Sequence, residues 1–280
     1  MVDFEDPRNV EVRETILIYG ASKVGKTWFY CAAMESIFAK NPKARFFVLN
    51  TDDGFKKTFE GYFKSRGLAP PYERVKTVYT PDTTTAALMV AKAKTLATKD
   101  DWLVMDLISD YYTMAKDTFF AESAKSLGIT IDQYVRDVAK KKIGGLDAST
   151  WGLVSMMNNS VAYDPIARPY CNIIGVATEK SLEVAETFAN FEKKQEARDQ
   201  KKDYLSAFHR AGALPGGHKD LPYKFSTIVR LTGSKIDDKK FCIISDRGYS
   251  LDTNEERKIM GNPYDELLKA REELTFKAVA

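Results

Sequence analysis

Gly20, Gly25, Lys26 and Thr27, in the stretch YGASKVGKTWF, satisfy the spacing G-x-x-x-x-G-K-[ST]. That spacing suits a loop wrapped around phosphate. Glycine lets the backbone bend until successive N–H groups point inward, and the helix that follows adds the positive end of its dipole. Lys26 is then expected to reach the β- and γ-phosphates of ATP, and the Thr27 hydroxyl to ligate Mg2+. Ala21, Ser22, Lys23, Val24 and Trp28 complete the segment that would line the phosphates. Lys23 is a surplus charge near the outer lip of the loop, facing either a γ-phosphate across a subunit boundary or solvent. At ordinary glycine usage the pattern arises by chance in about one chain of this length per hundred, so the flanking segments must decide.

Holding phosphate is not yet hydrolysing it, which also needs an acid on the metal side and a group that polarises water. Asp106 ends the apolar run WLVMD, where a carboxylate would face the metal through its water shell, and Asp110 is a second candidate four residues on. Asp52 and Asp53 end the run FFVLNTDDG, and either could polarise an attacking water. The alternative for TDDG is a plain turn.

These residues need a scaffold, and the chain supplies strand and helix patterns in alternation. TILIYG (15–20) reads as a buried strand, 26–40 as a helix ended by NPK, and 45–54 as a second strand. Strand 74–83, helix 84–99, strand 101–106 and strand 170–180 follow, and 225–233 with 240–248 form a hairpin. The result is an α/β fold with a mainly parallel sheet, helices on both faces and a C-terminal β-hairpin. Residues 1–280 are expected to form a single domain. It carries a mostly helical insertion at about 111–168 and a charged segment and loop at about 181–222, before a last helix. An extra strand between the loop strand and the Asp106 strand typifies ATPases that activate water with an acid. Small-molecule kinases are disfavoured, since no arginine-rich lid follows Asp106.

Bulk properties exclude other classes. The net charge of +3 across 280 residues neither demands nor forbids a nucleic-acid partner. Cys31, Cys171 and Cys242 are far apart, each in an apolar run, and only two histidines are present, so zinc is disfavoured and buried reduced thiols are expected. The acidic opening MVDFEDPRNVEVRE has no apolar core, no stretch approaches a membrane span, and the chain reads as cytoplasmic.

Taken together, the loop, FFVLNTDD and VYTPDTTTAALMVAKA resemble the RecA-type ATPase core. The YGxxKxGKT loop, short N-terminal lead and late Asp246-Arg247 are similar to compact phage-encoded RecA-core ATPases of single-strand annealing and recombination. The similarity covers roughly 14–110 and 170–250. It implies a RecA-like P-loop NTPase core with ATP and Mg2+ as cofactors, working in a phage-infected bacterial cell. It places Asp52 where those enzymes carry a longer glutamate. It also puts Thr178 and Glu179 at the position that senses the γ-phosphate, and makes Arg247 a finger reaching a neighbouring subunit's nucleotide. Leu107 departs from the small hydroxyl residue that often follows the metal acid. The implied partners are single-stranded DNA, further copies of the chain in a ring or filament, and a phage single-strand-binding or annealing protein. DNA contact would fall on Lys140, Lys141 and Lys142 beside Gly144-Gly145, and on Lys193 to Lys224 with Phe188, Phe191, Tyr204 and Phe208. A packaging or helicase-type translocase and a non-hydrolysing assembly mediator are the alternative readings.

Overall fold

The computed structural model describes residues 12–52, 54–140, 148–181, 207–208, 210–233, 238–246, 249–250 and 255–279. Asp53, Lys141, Lys142, Gly144, Gly145, Phe188, Phe191, Lys193, Tyr204 and Arg247, all singled out above, lie outside the described residues.

The first half alternates β1 (Thr15–Tyr19), α1 (Lys26–Lys40), β2 (Phe46–Asn50), α2 (Phe55–Ser65), β3 (Val75–Tyr79), α3 (Thr83–Leu96) and β4 (Trp102–Asp106). A helical stretch follows, with α4 (Ile108–Ser126), α5 (Ile131–Ala139), α6 (Ala148–Asn158), a π-helical turn at Asn159–Tyr163 and the short α7 (Asp164–Ala167). Then come β5 (Asn172–Ala177), β6 (Glu179–Ser181), β7 (Ala213–Pro215), β8 (Thr227–Thr232), β9 (Lys240–Asp246), β10 (Tyr249–Ser250), β11 (Arg257–Lys258) and a last helix, Pro263–Val279.

The main sheet runs β10-β9-β8-β1-β5-β4-β2-β3, with β11 also paired to β9. Strands β3 through β8 in that order are parallel, whereas β9 returns antiparallel to β8. This is the expected α/β architecture. Every residue of β1, β2 and β4 is buried, as strands covered by helices on both faces require. Alternation along β1 sorts its side chains between two cores. Ile16 and Ile18 join α1, α2 and the last helix, while Leu17 and Tyr19 join α3, α4 and the π-helical turn. Helix α1 buries Phe29, Tyr30, Cys31, Ala32, Ala33, Met34 and Ile37, so it is packed along most of its circumference and cannot shift without moving the loop that precedes it.

Turn chemistry fixes the helix ends. Asp82, in the Pro-Asp-Thr turn, caps α3 by accepting from the Thr85 N–H at 2.8 Å. Asn262 caps the last helix, accepting from Tyr264 N–H at 2.9 Å, and Glu266 reaches back to Met260 N–H at 2.9 Å.

Two features differ from the sequence expectation. Helix α2 was not anticipated; it buries Phe55, Phe59, Tyr62 and Phe63 at helical spacing beside α1. The single strand expected over 170–180 is two. β5 stops at Ala177, and β6 leaves the main sheet to pair antiparallel with β7, inside the stretch expected to be loop. The partner strand is over thirty residues away, so no local pattern announces the break.

Candidate functional site

The G-x-x-x-x-G-K-T loop joins β1 to α1 and forms one side of a cavity of about 800 Å³. Gly20 is required by a neighbour: a Cβ there would lie 2.5 Å from the Leu231 carbonyl oxygen of β8. Gly25 and Lys23 adopt the left-handed region, with φ of 99° and 65°. Between them they turn the chain so that α1 begins at Lys26. The Lys23 side chain is exposed, and its carbonyl accepts from Lys239 Nζ at 3.1 Å. Lys239 also donates to the Gly233 carbonyl at 3.0 Å and so ties the loop to the end of β8.

Lys26 Nζ donates to the carbonyls of Gly20 and Ala21, both at 2.8 Å. Burial lowers its pKa, and the nearby charges of Asp106 and Glu179 offset part of that. The ammonium is thus held inside the loop where a phosphate would take the place of the carbonyls. Asp106 closes β4 directly opposite: Thr27 Oγ1 donates to its Oδ2 at 3.3 Å and Tyr30 donates to the same oxygen at 2.9 Å. Burial and then the Asp52 charge push the Asp106 pKa up to about 6, against the pull of the Tyr30 and Thr27 hydrogen bonds and of Lys26. A buried carboxylate beside a threonine hydroxyl is an oxygen-donor pair of the type Mg2+ takes together with phosphate oxygens and water, and a cation there would relieve the burial cost. The donor set fits Mg2+.

Asp52 lines the same cavity but is exposed, and its Oδ1 accepts from the Gly54 N–H at 2.8 Å. Asp52 therefore both accepts a local hydrogen bond from Gly54 and faces the cavity. Thr51 braces the floor, its hydroxyl accepting from Leu107 N–H at 3.0 Å and donating to Asp110 Oδ2 at 3.1 Å. Asp110 is thereby turned to Thr51, and it does not line the cavity.

Strand β5 separates β1 from β4, which brings Thr178 to the cavity between the loop and Asp106. Its N–H donates to Ser109 Oγ at 3.3 Å, and its carbonyl accepts from Gly216 N–H at 2.6 Å. A Cβ on Gly216 would fall 2.3 Å from the Thr178 hydroxyl oxygen, so glycine is needed where that chain crosses. Glu179 turns aside into an ion pair with Arg230 at 3.2 Å. Asp246 is likewise structural, paired with Arg271 at 3.0 Å.

Beyond the G-x-x-x-x-G-K-T motif the cavity is walled by Trp28, Ile259, Met260 and Pro263, with Lys239 and Lys258 also lining it. Sequence reasoning singled out Trp28 of this wall but not Ile259, Met260 or Pro263, nor Tyr30, Thr51, Ser109 or Lys239. Each joins the site through a contact between distant parts of the chain, and only the buried tyrosine so close behind Thr27 offered a local signal.

No protein-family model and no curated protein matches the chain. Among solved structures, its fold is similar to one described as the crystal structure of the RadB recombinase. The identity is 14% and the TM-score 0.45, over 89% of this chain and 87% of that one, a distance that leaves the chemistry to the residues themselves. Among the described residues, no helix is long and apolar enough to cross a membrane, and no cluster of three or more His, Cys, Asp or Glu side chains could hold a metal.

Proposed function

We propose that the chain is a RecA-like P-loop ATPase that binds Mg2+–ATP and acts on single-stranded DNA as an oligomer, in phage recombination or replication. The observation that carries this reading is the gathering of Lys26 and Thr27, at the start of α1 after β1, with Asp106 at the end of β4 and Thr178 just past β5, around one cavity at the ends of three adjacent parallel strands. Residues 20–28 would hold the triphosphate, with Lys26 on the β- and γ-phosphates. Thr27 would ligate Mg2+ directly and Asp106 through water, and the cation supplies charge neutralisation on the phosphates. In this reading Asp52 would polarise water, Thr178 would sit beside the γ-phosphate, and the wall of Trp28, Ile259 and Met260 would take the nucleoside; all line the one cavity. Lys116, Lys180 and Lys224, grouped near Tyr112, Tyr163 and His218, support contact with a nucleic-acid backbone.

A second reading, a nucleotide-driven assembly protein with negligible turnover, is favoured by one observation. Asp52 already spends an oxygen on its own loop, through Gly54. ATP hydrolysis measured with and without single-stranded DNA decides between them. The ATPase reading expects turnover stimulated by DNA and lost in Lys26→Ala. Tight ATP binding with no turnover in either condition leaves the assembly reading, and no nucleotide binding at all ends both.

A further inference from the structure

Behind the cavity, Tyr30 approaches Asp106 from the buried side. It lies three residues after Thr27 on α1, a spacing that puts both hydroxyls on one helix face. They converge on a single atom: Oδ2 of Asp106 accepts from Tyr30 at 2.9 Å and from Thr27 at 3.3 Å. No hydrogen bond engages Oδ1 among the described residues. Tyr30 has no solvent exposure, and its ring stacks on Phe55 with centroids 6.0 Å apart and planes 21° from parallel. Phe55 opens α2, just after the loop that carries Asp52. The phenol is therefore fully buried and packed against Phe55 with its hydroxyl on the carboxylate, whereas Thr27 is only partly buried and faces the cavity.

We propose that Tyr30 is a positioning residue for the divalent cation: its hydroxyl pins Oδ2 of Asp106, which presents Oδ1 to the cation's water shell and frees Thr27 to become a ligand. This rests on reading the cavity as an Mg2+–nucleotide site. A carboxylate satisfied by Thr27 alone would lose its donor when the threonine turned to the metal. With Tyr30 in place, the carboxylate keeps one donor throughout. Partners of this type, one step behind the ligands, orient the ligand and raise metal affinity.

The test titrates Mg2+ against the binding of a fluorescent ADP derivative, with a chelator-treated sample as the metal-free point. Tyr30→Phe keeps the ring and removes only the hydroxyl. Its metal-free nucleotide affinity should match the wild type, while the Mg2+ needed for half-maximal enhancement rises about 10–100-fold. On an Asp106→Asn background, Tyr30→Phe should add nothing further. An unchanged Mg2+ midpoint, an equal loss of affinity with and without Mg2+, or a full effect persisting in the Asp106→Asn background would each overturn the role of Tyr30. Wild-type protein that ignores the nucleotide under both conditions overturns the underlying site instead. Should Tyr30→Phe fail to fold, fluorotyrosine at position 30 puts the question to the native packing. Its fluorine resonance should move with the Mg2+ midpoint, and a resonance indifferent to Mg2+ refutes the proposal.

Discussion

Replacing Asp106 by asparagine should make the free protein more stable, even though it removes a residue of the proposed site. In the folded chain the carboxyl is buried, and its pKa is pushed up to about 6 from the ordinary 3.8. The sign follows from linkage. A native state that holds the proton more tightly than the unfolded state loses stability as the pH rises from the unfolded 3.8 to the native value of about 6; the full penalty applies above about 6 and is gone below 3.8. The gap between those values, at 1.36 kcal/mol per pH unit, is about 3 kcal/mol of destabilisation at neutral pH. Asparagine has nearly the same shape, still accepts from Tyr30 and Thr27 through its amide oxygen, and carries no charge to bury. For a chain of this size, about 3 kcal/mol corresponds to a rise in melting temperature of roughly 6–12 °C. Thermal unfolding of wild type and Asp106→Asn across pH 4 to 8, without nucleotide or Mg2+, measures it. The two curves should coincide near pH 4, separate as the pH rises toward about 6, and stay apart by a constant margin above it. A variant that is no more stable at pH 7.5, or an advantage that does not shrink on acidification, would refute the electrostatic account of this carboxylate.

Other expectations are more local. Gly20→Ala drives a methyl group toward the Leu231 carbonyl, at 2.5 Å for the ideal position, and should cost about 1–3 kcal/mol in thermal unfolding; an unaltered melting temperature would mean that β8 yields easily. Met260 is exposed on the rim of the cavity, with its N–H held by Glu266. Met260→Ala should weaken ATP binding by up to about tenfold while leaving inorganic tripolyphosphate untouched, and equal losses for both would remove this wall from the nucleoside end. All three cysteines are free and buried, and burial raises the thiols, Cys171 to about 12, Cys242 to about 11 and Cys31 further still. A thiol reagent at pH 8 should react with none of them until denaturant is added, and rapid labelling of the native protein would contradict the packing described.

The G-x-x-x-x-G-K-T loop between β1 and α1 was legible because its glycines, lysine and threonine all lie within eight residues. Strand and helix alternation was legible for the same reason, since burial on both faces leaves continuous apolar runs such as TILIY and WLVMD. Asp106 could be nominated from its place at the end of such a run. The sequence alone did not reveal what holds these groups. Tyr30 meets Asp106 across 76 residues, Thr51 meets Leu107 across 56, and the carbonyl that forbids a side chain at Gly20 belongs to Leu231. The same limit explains β6 and β7, whose pairing made two strands of one expected strand. Only the order of strands in the sheet brings such residues together, because β5 must lie between β1 and β4 before Thr178 can face the loop. Chemistry carried by neighbours in the chain can be read from spacing, whereas contacts that position and charge-balance it arise between segments whose proximity the fold alone determines.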